Sequence, residues 1–203
     1  MKQLFFLVLL GLLFPKHTLQ AQSKAYKKEI KQHRKSYKAN FLKNENGPLD
    51  KKEVKTLRFF KPDPDAKVLA QFQKLEGEEP FEMATVTGAT QPYIKYGILK
   101  FKYKGQVTEL ILYRNLRYAR MPGFRDLLFL PFKDRTNGGE TYGGGRYLNL
   151  KTSDIKDGKV VVDFNKSYNP YCVYKEGYIC PIPPVENHLA ITIQAGEKLP
   201  KGK

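Results

Sequence analysis

Hydrophobic and polar positions change their spacing three times along this chain. Leu4 to Phe14 is a near-continuous apolar run. From Ser23 to Leu42 the residues Tyr26, Ile30, Tyr37 and Phe41 recur at three- to four-residue steps with lysines between them, which predicts an amphipathic helix. Asn46-Gly47-Pro48 ends it. Asp50-Lys51-Lys52-Glu53 then reads as a capping box, with Asp50 as the cap and Glu53 reaching back, and the turn it opens closes before Pro62 and Pro64.

Beyond Asp65 the period becomes two. Val68, Ala70 and Phe72 share one face of a strand, and Phe81, Met83 and Thr85 suggest another. Leu99, Phe101 and Tyr103 alternate with Lys100, Lys102 and Lys104. Lys104-Gly105 turns this strand back into Val107–Tyr113, so 96–113 reads as a hairpin. Leu127–Phe132 is a nearly continuous apolar strand whose Pro131 predicts an edge or a bulge. Tyr147–Leu150 and Val160–Phe164 are expected to form a second hairpin around Asp157-Gly158, and Leu189–Gln194 to be the last strand. Many short strands without βαβ alternation predict a mainly β fold: an antiparallel β-sandwich or barrel-like domain with an N-terminal amphipathic helix.

The basic start, the apolar run of 4–14 and the small residue Ala21 predict a secretory signal over 1–21. The run is shorter than the ~20 residues that cross a bilayer. A single β-rich domain over 22–203 is expected, exported to the periplasm or beyond, and expected to be a monomer. Losing the two lysines of the signal lowers the net charge from +16 to +14. Much of the excess lies in Lys24–Arg58, with twelve Lys/Arg against four Asp/Glu. Such a run is either a solvated face or a surface for acidic partners.

Two stretches break the strand rhythm. One is the glycine-rich Asp134–Tyr147; the other is Asp163–Leu189, with two cysteines and four prolines. The glycines permit tight turns or close approach to a ligand, but no Lys-Ser/Thr pair or helix pattern follows them, so this is not a phosphate-binding loop. Asp134-x-Thr136, Glu140-Thr141-Tyr142-Gly143-Gly144-Gly145-Arg146-Tyr147-Leu148, Asp163-Phe164-Asn165, Tyr168-Asn169-Pro170, Cys172, Cys180-Pro181-x-Pro183-Pro184, Glu186-Asn187-x-Leu189 and Ala195-Gly196-Glu197-Lys198 occur in this order. In that run the chain resembles the family called domain of unknown function 1684, with His188 and Tyr171 where the family commonly carries Arg and Pro. The resemblance implies a bacterial protein of about this size and supplies no activity.

The residues themselves suggest a site. Arg146 enters a strand whose Leu148 and Leu150 share its face, so its guanidinium lies at the core edge and needs a carboxylate, from Asp134 or Asp163. Its free donors are expected to face a cavity shared with Asn165 or Asn187; the alternative is an ion pair that only staples the glycine loop to the sheet. The candidate ligand-binding residues are Asp134, Thr136, Tyr142, Arg146, Asp163, Asn165, Asn169 and Asn187. Cys172-x7-Cys180 flanks a Lys175-Glu176-Gly177 turn and is expected to form a hairpin disulfide in an exported chain, which contributes roughly 2.5 kcal/mol on a loop-entropy argument. The spacing lacks the short Cys pairs of zinc sites, and no metal or cofactor is expected.

The reading favoured by these residues is a binding module with a polar pocket for a small or carbohydrate-like ligand. Its alternative is a hydrolase using paired carboxylates among Asp134, Glu140 and Asp163, with Tyr142 as a donor. A third, resting on charge alone, is a binder of acidic polymers through the basic face, with no specific nucleic-acid recognition expected.

Overall fold

The computed structural model describes residues 16–43 and 47–202, with side chains from Gln22 onward. The apolar run that predicts a secretory signal lies outside them. Helix α1 spans Lys16–Phe41, so it starts before the expected cleavage point at Ala21. The predicted apolar face is the inner one: Ile30 and Phe41 are buried and Tyr26 and Tyr37 half-buried. The capping box forms as read. Asp50 accepts from the amides of Lys52 and Glu53 at 2.7 and 2.8 Å, and Glu53 accepts from the Asp50 amide at 2.8 Å.

Seven strands follow: β1 Lys67–Lys74, β2 Phe81–Ala84, β3 Thr90–Tyr103, β4 Gln106–Asn115, β5 Leu127–Phe132, β6 Arg146–Lys151 and β7 Lys159–Asp163. They form one curled antiparallel sheet in the order β6-β5-β4-β3-β1-β7, with β2 on the N-terminal half of the long β3. One face carries the main core. Val68 and Ala70, Leu99 and Phe101, Leu110 and Leu112, Leu128 and Leu130, Leu148 and Leu150, and Val160 and Val162 meet there as alternation predicts. The other face carries a smaller cluster of Met83, Tyr93 and Tyr113, with Phe129 packed on it. A third cluster joins Phe41 of α1 to Val173 and Tyr174 of the Cys-containing arm.

Two expectations are corrected. β6 and β7 are not a hairpin: β6 pairs with β5 and β7 with β1, at opposite ends of the sheet. Alternation decides which face of a strand is buried; it does not choose the neighbour. Leu189–Gln194 is not a strand either. Leu189, Ile193 and Ala195 are buried, but the backbone here finds scattered partners, such as Lys133 O for the Leu189 amide at 2.8 Å and the Arg135 amide for Ile191 O at 2.9 Å.

Candidate functional site

The polar residues that stand out in the sequence divide among separate internal networks. Arg146 is fully buried, and one guanidinium nitrogen meets Asp134 Oδ2 at 2.5 Å. The same nitrogen donates to Ile193 O at 3.0 Å, and the second donates to Ala195 O and, at 3.4 Å, to Glu197 O. Asp134 is held by the Thr136 amide on Oδ1 at 2.7 Å, and Thr136 and Thr141 share a hydroxyl bond at 2.8 Å. The arginine thus bonds the carbonyls that a partner strand would have bonded, which explains why the last apolar segment is buried without being a strand. Gly145 follows the same logic. At φ +98° its missing Cβ would lie 2.7 Å from Phe132 O and from Pro183, so the glycine makes room for the proline arm rather than for a ligand.

Asp163 and Asn165 belong to a second network, under α1. Tyr26 donates to Asp163 Oδ1 at 2.8 Å and accepts from Asn165 Nδ2 at 2.8 Å. Asn165 also clasps the backbone of Asp63, at 2.8 and 2.7 Å. Asn187 is a third. Its amide accepts from the Ile111 N–H at 2.7 Å and donates to Ile111 O and Pro131 O at 2.8 and 2.7 Å. β4 and β5 pair only at Tyr113–Phe129, because Pro131 offers no N–H, and the Asn187 amide fills that gap as a peptide group would. A fourth surrounds Glu197, a residue outside the predicted set. Its buried carboxylate accepts from Tyr174 at 2.6 Å, Tyr37 at 3.0 Å and the Asn169 amide at 2.9 Å. Arg146, Asn165 and Asn187 thus direct most of their polar atoms into internal contacts, with the buried Arg146 Nε left without a partner, and the three do not meet around a shared ligand cavity among the described residues.

The cysteines are also corrected. Cys172 and Cys180 are free thiols. The Cys172 amide donates to Cys180 Sγ at 3.2 Å, while the Cys172 thiol points toward Tyr142 Oη, 4.0 Å away. The two thiols hydrogen-bond to each other and the Cys180 sulfur also takes the Cys172 amide, but the pair does not stand at disulfide distance.

A cavity of about 580 Å³ lies elsewhere, on the outer face of the sheet. Its floor is Tyr93, Phe129 and Tyr147 from β3, β5 and β6, and Tyr168, Tyr171 and Tyr178 of the arm form the opposite wall. The rings contact one another: Phe129–Tyr147 at 4.8 Å, Tyr93–Phe129 at 5.6 Å and Tyr147–Tyr168 at 5.8 Å between centroids. Gln91, Asn115 and Asn149 supply an amide edge, and the end of α1 closes one side with His33, Tyr37 and Asn40. None of the eight residues expected to bind ligand lines it.

Electrostatically the cavity is protic but carries no acid. Burial pushes the Tyr93 phenol up to about 12 and those of Tyr147 and Tyr168 higher still, so all three stay protonated at neutral pH. Burial, and then the nearby Lys166 ammonium, hold His33 below its ordinary range, so it is neutral there. No Asp or Glu lines the cavity, and no group of His, Cys, Asp and Glu among the described residues is arranged to hold a metal ion. Such a surface offers ring faces, phenolic donors, amides and the neutral His33 imidazole; it has no carboxylate pair. The sequence did carry a signal for it. Phe129 and Tyr147 occupy the strand face opposite the core, where alternation leads one to expect polar side chains.

A search of curated proteins gives no match. A solution NMR structure of an uncharacterised protein from Haloarcula marismortui is similar, with 30% identity and a TM-score of 0.66, over 88% of this chain and 96% of that one. The family described as protein of unknown function, DUF1684, matches residues 52–198. That span takes in every strand and all four buried polar networks except the contribution of α1, and the chain belongs to this family.

Proposed function

We propose that this protein is an exported ligand-binding domain that takes a small ring-shaped, polyhydroxylated ligand of the carbohydrate type in its tyrosine-lined cavity. The observation that carries the reading is the combination of clustered edge-to-face and tilted rings with an amide edge and no carboxylate. Ring faces complement the C–H faces of a sugar or another flat ligand, and the Asn, Gln and Tyr groups complement its hydroxyls. The volume falls within the ~300–1,000 Å³ typical of small-molecule sites. Hydrolysis by paired carboxylates would need two such groups flanking a bond, and the cavity lining has neither, so binding is preferred to turnover.

The test is a thermal-shift screen of neutral and acidic mono- and disaccharides, followed by titration. Tyr118→Ala and Tyr171→Ala remove exposed rings at the rim. Each should weaken binding about tenfold, with a loss of stability limited to the ring pairs it breaks, roughly 0.5–1.5 kcal/mol apiece. A screen with no ligand, or ligands whose affinity ignores both rim variants, would remove this reading.

A further inference from the structure

The outer flank of α1 carries a second surface, independent of the cavity. Lys24, Lys27, Lys28, Lys31 and Lys35 are all exposed. At 100° per residue they fall within about a 100° arc and run about 17 Å along the axis. They form a line on one flank, turned away from the face that buries Ile30 and Phe41. Among the described residues, none of the ion pairs includes any of the five. The acid within the stripe's length, Glu29, lies on the other flank and is bound to Lys166 at 2.8 Å. A helix stabilised only by its own surface charges would alternate signs at four-residue spacing; this one stacks a single sign and accepts the repulsion. α1 stays docked because its inner face is held by Tyr26 on Asp163 at 2.8 Å and Tyr37 on Glu197 at 3.0 Å.

We propose that this lysine stripe is a docking surface for an anionic phospholipid bilayer. A row of lysines on a helix laid against the domain matches a plane of phosphates, and each lysine near such a surface adds to the attraction. The apolar run 4–14, expected from the sequence to be a secretory signal, would bring the chain to a membrane, and Lys24 begins ten residues beyond it. The partner is recognised by charge and planarity, not by a pocket, and the domain is held with its basic helix toward the headgroups.

The test is co-sedimentation of the full chain with phosphatidylcholine vesicles and with vesicles containing roughly 30% phosphatidylglycerol, at about 0.05 M and about 0.5 M salt. Heparin and duplex DNA serve as competing polyanions. The full chain should favour the anionic vesicles by about tenfold or more at low salt, and the preference should collapse at high salt. Any binding through the apolar run is common to both vesicle types and cancels in the ratio. Replacing the five stripe lysines by Gln should abolish the preference. Replacing them by Arg should keep it, and so should Lys61, Lys102, Lys156, Lys159 and Lys175→Gln, which removes the same charge from exposed sites elsewhere. The proposal is overturned if the stripe variant keeps the preference, if both Gln sets lose it equally, or if heparin or DNA binds the stripe more tightly than the anionic vesicles do. Circular dichroism melts of each variant confirm that α1 remains folded.

Discussion

Arg146 and Asn187 illustrate the same device: a buried polar side chain standing in for a missing strand. With Asp134 at 2.5 Å and backbone carbonyls on both terminal nitrogens, Arg146 uses the width of the guanidinium fork. Arg146→Lys keeps the charge but reaches fewer of these acceptors, and it leaves Asp134 and the carbonyls of residues 193–197 short of donors. We expect a loss of about 3 kcal/mol or more in urea unfolding, without any change in ligand affinity at the tyrosine cavity. Asn187→Ala strips three backbone groups of their partners and should cost about 2–3 kcal/mol, with faster hydrogen exchange at Ile111 as its local sign. The thiols offer a third check. Cys172 is half-exposed, and its hydrogen bond with Cys180 brings it down to about 7, whereas Cys180 is buried and pushed up. Iodoacetamide at about pH 8 should label Cys172 first and Cys180 only on unfolding; a native protein in which neither reacts, and whose mass is two protons short, would contradict free thiols.

At the level of elements, α1 is fastened to the sheet through two buried carboxylates, and one of them titrates near neutrality. Burial holds the Glu197 carboxyl up at about 7, and the donors Tyr174, the Asn169 amide and Tyr37 offset this only in part. The folded protein therefore binds this proton more tightly than the unfolded chain does. The group's contribution to stability is complete below about pH 4.5 and is lost as pH rises through about 7. The melting temperature should fall between pH 5 and pH 8 by an amount equivalent to at most about 3 kcal/mol, and Glu197→Gln should flatten that slope. An unchanged slope in the variant would assign the pH dependence to other groups.

For the whole molecule, two surfaces have different partners in view: an open aromatic cavity on the outer face of the sheet and a basic stripe on the helix beside it. Both readings presuppose export. Mass spectrometry of protein recovered outside the cytoplasm should give a chain beginning at Gln22, with a net charge of +14. A recovered chain that retains the apolar run would mean that the domain stays tethered by its own N-terminus, and the vesicle comparison would then measure the stripe's orienting role. Two features of the architecture, the docking of α1 and the single sign of its outer lysines, are independent of that outcome.

Periodicity alone settled most of the elements, because the helix and strand faces are local properties of the backbone. Tyr26, Ile30, Tyr37 and Phe41 marked α1, Asp50 and Glu53 marked the cap, and alternation marked the core residues of the strands correctly. What alternation could not specify was partnership. β6 and β7 read as neighbours and are the two ends of the sheet, since a strand's pattern is blind to which strand lies beside it. The segment after Leu189 read as a strand because its apolar residues alternate, yet carbonyls here and just beyond it are taken by Arg146, a side chain from 47 to 51 residues earlier. The conspicuous Asp, Asn and Arg positions were legible as residues that need partners; whether those partners were a ligand or the protein's own backbone depended on contacts across 12 to 139 positions of sequence. The cavity was hidden for the same reason. Its aromatic rings come from α1, three strands, the turn after β4 and the arm, and only the curl of the sheet and the path of the arm bring them into edge-to-face contact.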